Sequence, residues 1–181
     1  MATSCTAYAL KGMGQECLGS VAGLQRLLIG LKSEWVVSAN TSQQIITALS
    51  GTTSSATFYE YYIMDESSSL SSTLTVNNQN GVKYYNNVIN ATFVRMRPEK
   101  HIELMALANE KLVVFAVDNN NQGWFLGEDS FVTATEETAQ SGQAFDDLSG
   151  YQVTLTHRSG KLPFGIEASV YGKVTTPDVY E

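Results

Sequence analysis

A chain of 181 residues carrying a formal net charge of −7 is long enough to bury roughly 70% of its unfolded surface without metal or disulfide staples. Its acidity repels a phosphate backbone and forgoes counterion release, which excludes tight nucleic-acid binding. Charged residues make up only 16% of the chain against 43% hydrophobic, a balance that leaves part of the surface for neighbours.

The opening "MATSCTAYALKGMG" shows no basic stretch leading into the apolar run of a signal peptide. The longest apolar run, residues 112–117, is far short of the ~20 residues a membrane helix needs. The expectation is therefore a chain made in a cytoplasm, with no membrane partner. Cys5 and Cys17 lack C-x-x-C spacing and read as free thiols in a reducing compartment. "KGMGQECLGSVAGLQ" carries four glycines and reads as irregular. "RLLIGLKSEWVVSA" then turns β-like, and "QQIITAL" follows a polar break.

Residues 58–64, "FYEYYIM", form an aromatic-rich strand between Ser/Thr clusters that read as loops. In "LSSTLTVNN", Leu70, Ser72, Leu74 and Val76 alternate with Ser71, Thr73, Thr75 and Asn77. That pattern predicts a half-buried strand whose Leu74 face lies in the core. "NQNG" supplies a turn in which Gly81 takes a positive φ, and "VKYYNNVINATFVRMR" returns as one or two strands. "PEKHIELMALAN", residues 98–109, is the one helix. Pro98 suits its first turn, Glu99 complements the positive helix end, and Ile102, Leu104, Met105, Ala106, Leu107 and Ala108 offer a broad apolar face. Four strands follow in "KLVVFAVDN", "GWFLGE", "SFVTATEE" and "GYQVTLTH". The inventory is mainly β with one packed helix, in a single domain over residues 1–167 followed by a C-terminal arm, 168–181.

The run "DNNNQG" invites a calcium-loop reading through Asp118, Asn120, Gln122 and Gly123, with Asp129 at the last ligand position. Such a loop needs flanking helices to orient its ligands, whereas the flanks here are strands. The run reads as a hairpin turn with Gly123 as a turn glycine, and no metal or cofactor is expected. His101 reads as a polar helix residue. His157 closes the apolar face of Tyr151, Val153 and Leu155, where a backbone carbonyl would satisfy it. No nucleophile elbow, Walker loop, dinucleotide fingerprint or H-E-x-x-H is present. The adjacent pairs Glu136-Glu137 and Asp146-Asp147 point apart rather than flanking one bond. The chain is therefore expected to be no enzyme.

Between positions 111 and 158 there is no Lys or Arg, while Asp118, Glu128, Asp129, Glu136, Glu137, Asp146 and Asp147 all fall there. One end of the molecule is expected to be strongly acidic. The aromatic runs "FYEYY" and "KYY" also suit a platform on which sugars stack.

Taken in order, "LKGMGQECLGSVAGLQRLLIG", "SSTLTVNNQNGVKYYNNVINATFVRM", "PEKHIELMALANEKLVVFAVDNNNQGWFLGED" and "SGYQVTLTHRSGKLPFGIE" resemble a virion structural protein of tailed bacteriophages that infect Bacteroidetes, the crAss-like phages among them. The resemblance is to tail-tube-like or neck (head-to-tail) ring subunits. It implies a β-sandwich or barrel with one helix against it, forming a homo-oligomeric ring that joins neighbouring tail, neck or portal proteins. DNA would pass through the ring without specific binding, the seven carboxylates lining the channel in part. It also implies a virion location, with assembly in the bacterial host cytoplasm. The alternative is a carbohydrate-binding or adhesion module of a virion fibre.

Overall fold

The computed structural model describes residues 20–40, 43–54, 56–64 and 66–166. The glycine-rich start before residue 20, both cysteines and the 168–181 arm lie outside the described residues. Among the described residues the elements are β1 (Leu24–Leu31), β2 (Trp35–Asn40), β3 (Ile45–Gly51), β4 (Tyr59–Tyr62), β5 (Ser69–Asn77), β6 (Val82–Val94), α1 (Pro98–Asn109), β7 (Leu112–Asp118), β8 (Gly123–Leu126), β9 (Val132–Gln140), β10 (Gly150–Ser159) and β11 (Phe164–Ile166). The fold is mainly β with one helix, and no described helix is long and apolar enough to cross a membrane.

The organising strand is β7. Its run LVVFAV is buried at every position, as a continuous apolar, β-branched segment requires when both of its faces are covered. Leu112, Val114 and Ala116 enter a core shared with Leu27 and Ile29 of β1, Ile89, Ala91 and Phe93 of β6, and Tyr151, Val153 and Leu155 of β10. Val113 and Phe115 enter a second core with Leu28, Ile46, Leu49, Phe58, Phe125 and Phe164. There Phe115 lies edge-on to Phe58, centroids 4.8 Å apart, and 4.7 Å from Phe125.

Hydrogen bonding follows the order β2-β3-β11-β8-β7-β9-β10-β6-β5, with β1 joining β7 to β4. The sheet is open and mixed: β11 runs parallel to β3 through Gly165↔Ile45 and Ile166↔Ile46, and the other ladders are antiparallel. Between β7 and β9 the ladder narrows to one pair, Leu112↔Val132. The β9-β10-β6-β5 half pivots there, and its inner face shares the first core with β1 and β7. The three-residue β11 escapes a reading by period because it is too short to alternate.

The helix has the predicted bounds, but its buried stripe is not its apolar set. The side facing the sheet is Lys100, Glu103, Leu104 and Leu107, spaced i, i+3, i+4, i+7, and of these only Leu107 is fully buried. Ile102 and Met105, expected in the core, are 72% and 66% exposed. Two polar anchors set this rotation. The Tyr61 hydroxyl donates to Glu103, and Lys100 Nζ donates to the Val94 carbonyl at 2.7 Å. His101 adds an edge-on ring contact with Tyr151.

The β5 expectation needs a correction of a different kind. The Leu70, Ser72, Leu74, Val76 face is the inner one, since these residues pair with Ile89, Asn87, Tyr85 and Lys83 of β6, and Ile89 and Asn87 are fully buried. The β5–β6 hairpin, however, overhangs the core, so Leu74 is 45% and Val76 50% exposed. Alternation reports which face a residue takes, not how far the layer beneath it extends. Phe115→Ala is therefore expected to cost about 3–5 kcal/mol and Leu74→Ala under about 1 kcal/mol in urea unfolding. Equal losses would contradict this placement of the core.

Candidate assembly surfaces and the acidic segment

Among the described residues, neither end of the sheet path has a further strand beside it. At one end β5 pairs only with β6, and its sequence SLSSTLTVN contains no charge and no proline, the usual devices that keep an edge from pairing with another chain. Residues 71–83 are exposed on both faces of the hairpin. Asn77 Oδ1 accepts the N–H groups of Gln79 and Asn80, and Gly81 takes the expected positive φ of 65°. At the other end β2, WVVSAN, pairs only with β3 among the described residues and is also uncharged, with Val36 exposed.

Beneath the overhanging hairpin lies a groove of about 1110 Å³ whose walls include Leu24, Leu70, Tyr85, Trp124 and Leu162, with Lys83 and Lys161 among its polar residues. Its floor is fixed by the β7–β8 turn. Asp118 Oδ1 accepts the N–H groups of Asn120 and Gln122 at 2.9 and 2.8 Å, and Oδ2 accepts the Trp124 indole N–H at 3.2 Å. This is the hairpin the flanking strands indicated. The left-handed residue in the turn is Asn121, φ 60°, rather than Gly123. Gly123 instead begins β8, where an added Cβ would stand 2.8 Å from Ile166 Cδ1. The Ile166 side chain of β11 fills the space a side chain there would take.

The seven carboxylates of the 111–158 segment are spread along the molecule. Asp118 caps the β7–β8 turn. Glu128 and Asp129 lie together in the β8–β9 loop. Glu136 and Glu137 are exposed neighbours on β9, on opposite faces, and Asp146 and Asp147 stand in the loop beyond it. Asp147 Oδ2 accepts the N–H groups of Gln143 and Ala144 at 2.7 and 2.8 Å, and these bonds hold its carboxyl below the usual carboxylate range. Asp118, Asp129 and Asp147 thus act as local structural acceptors. Glu136, Glu137 and Asp146 are left as the exposed charge.

Glu128 and Asp129 belong to a node that sequence spacing did not reveal. Lys32, in the 3-10 turn after β1, donates to the carbonyls of Gly127 and Glu128, and burial lowers its pKa against the pull of Glu128 and Asp129. Lys161 faces Glu128 at 3.5 Å. Ser159 Oγ donates to Asp129 Oδ2 at 2.6 Å and the Gly160 N–H adds a bond at 3.3 Å.

His157 is 3% exposed, its Nε2 3.3 Å from Asp129 Oδ1 but off the hydrogen-bond line. Its Nδ1 is 3.3 Å from Asn87 Nδ2. Two side chains, not the expected backbone carbonyl, therefore flank the ring. The Asn87 amide donates to Nδ1, which places the proton of the neutral ring on Nε2. Burial lowers the His157 pKa, outweighing Asp129. Burial also opposes the Asp129 charge, but Ser159, His157 and Gly160 together hold that carboxyl below its usual value. Ser159 bonds the carboxylate rather than the imidazole, so the trio has no activated nucleophile. No group of His, Cys, Asp and Glu suited to a metal occurs among the described residues.

Comparison of the chain with protein-family models, with curated proteins and with solved structures gives no match.

The node makes stability pH-dependent with a definite sign. The folded pKa of His157 lies below its ordinary 6.5, so its imidazole stays neutral in the folded protein at pH values where it is already protonated in the unfolded chain. Its contribution is complete above about pH 6.5 and is lost as pH falls toward the folded pKa, at no more than about 1.4 kcal/mol per pH unit. Asp129, depressed below 3.8, adds a separate loss at lower pH. Melting temperatures between pH 7.5 and 5 should fall less steeply in His157→Gln than in the wild type, and parallel slopes would contradict the assignment.

Proposed function

We propose that this chain is a non-enzymatic virion structural protein that assembles into a homo-oligomeric ring, part of a tail or neck channel through which DNA passes without specific binding. The observation that carries the reading is the pair of uncharged edges, β2 and β5, at opposite ends of one open sheet path, each without a further partner strand among the described residues. Two different edges pairing between copies make a heterologous contact, and such contacts close into rings when the rotation per subunit allows. The resemblance to tail-tube-like and neck-ring subunits and the 111–158 segment without Lys or Arg support the same reading. Exposed Glu136, Glu137 and Asp146 repel a phosphate backbone if they face the lumen.

A carbohydrate-binding fibre module is the second reading, favoured by Tyr85 and Trp124 in the groove. It ranks lower because the Trp124 N–H and the Asp118 oxygens, the polar groups a sugar would use, are already bonded to each other and to the turn.

Thr73→Lys places a charge at the middle of the β5 edge, where the strand is exposed on both faces, and so blocks edge pairing without touching the core. Sedimentation velocity with negative-stain imaging should show rings for the wild type and none for Thr73→Lys, whose melting temperature should be unchanged. Rings that survive the substitution, or a wild type that is monomeric at every concentration, would overturn the reading.

A further inference from the structure

The loop between β9 and β10, residues 141–149, presents an aromatic side chain that no described residue covers. Phe145 is 113% exposed, more than a residue in an extended reference peptide. The loop that carries it is nevertheless built. Asp147 accepts two backbone N–H groups and returns its own N–H to the Ala144 carbonyl at 3.2 Å. Gly142 takes a φ of 72°, where an added Cβ would stand 2.7 Å from that of Asp147. A braced loop that holds a Phe in water has the form of an interface anchor, since large aromatics in pre-ordered positions dominate binding energetics.

The groove under the β5–β6 hairpin is the complementary feature. It is walled by Leu24, Leu70, Tyr85, Trp124 and Leu162 and carries Lys83 and Lys161, whereas Phe145 is followed by Asp146 and Asp147. Lys83 has no ion pair among the described residues, and Lys161 has the 3.5 Å contact to Glu128 and lies 5.2 Å over the Phe164 ring. The groove's own carboxylate, Asp118, is occupied by its three donors.

Within one molecule the two features cannot meet. The loop ends at Gly150, the first residue of β10, and Gly160, which lines the groove, follows its last residue. Ten strand residues separate them by roughly 30 Å.

We propose that the 141–149 loop of one copy docks in the hairpin groove of a second copy, with Phe145 as the apolar anchor and Asp146 facing Lys83. Anchor and groove lie at opposite ends of the same strand, so the contact is head-to-tail along the strand direction. It differs from the β2–β5 edge contact and stacks copies axially, joining one ring to the next. The proposal rests on the ring reading only for that last step.

Disulfide trapping tests it in full-length protein carrying Cys5→Ser and Cys17→Ser. Ala144→Cys, which keeps the Phe145 anchor beside it, mixed with Leu162→Cys, a groove residue 47% exposed, should give a mixed disulfide dimer that neither variant forms alone. The dimer should persist in a Thr73→Lys background, where edge pairing is blocked. In sedimentation of the Thr73→Lys protein, Phe145→Ser should weaken axial association about tenfold or more. Asp146→Lys and Lys83→Glu should each weaken it, and the two together should restore it. Absence of the mixed disulfide, or association indifferent to Phe145→Ser and to the charge swap, overturns the docking while leaving the ring intact. The disulfide without rings overturns the ring and leaves the docking.

Discussion

The structure depends on β7 being apolar on both faces. A strand whose every side chain avoids water requires a layer on each side, and the two cores supply them: Phe58, Phe115 and Phe125 on one face, Ile89, Tyr151 and Leu155 on the other. Once β7 is central, β1 and β8 take its two edges. The chain must then turn away, which it does at the single pair Leu112↔Val132. Placing β9, β10, β6 and β5 on the far side of that pivot covers the second face of β7. It also leaves β5 and β2 as termini of the path, with no further strand among the described residues to pair with.

The outer half of the molecule is therefore larger than the core it covers. The β5–β6 hairpin and the 141–149 loop both project past the apolar interior, in opposite directions along the strands. Material that projects without a core contributes little to the stability of one subunit. These projections carry what a subunit built only for its own stability would avoid: an uncharged nine-residue edge, exposed Leu74 and Val76, and a solvated Phe145. In the proposed assembly these same features become contacts. The lateral edges determine how copies join within a ring, and the axial anchor determines how rings meet.

Much of the fold was legible in the sequence because period and punctuation act locally. The helix bounds followed from Pro98 and the apolar spacing, the β7–β8 hairpin from strand-like flanks, and the β5–β6 turn from Asn80 and Gly81. What stayed hidden depended on distant partners. Leu74 was expected in the core because alternation marks a face without giving the extent of the layer beneath. Ile102 and Met105 were expected inside because hydrophobicity alone cannot foresee that Tyr61 and the Val94 carbonyl recruit Glu103 and Lys100 and so rotate the helix. The Lys32, Asp129 and His157 node joins residues far apart in the chain, and no spacing rule connects them. Of the seven acidic candidates, their grouping in sequence was visible, but their division into structural acceptors and free charge depended on which backbone N–H groups lie nearby. Phe145 was visible as a residue, but its complete exposure was not.

The central claim is that the β5 edge is a pairing surface between copies, and hydrogen–deuterium exchange along residues 69–77 at increasing protein concentration tests it most directly. In an isolated subunit the amides of β5 that point away from β6 have no partner strand among the described residues and should exchange quickly, while those of β7 stay protected. The account predicts that β5 and β2 gain protection together as the protein assembles, with β7 unchanged throughout. If assembled protein shows β5 amides exchanging as fast as they do in the dilute subunit, the edge is not the interface and the account is wrong.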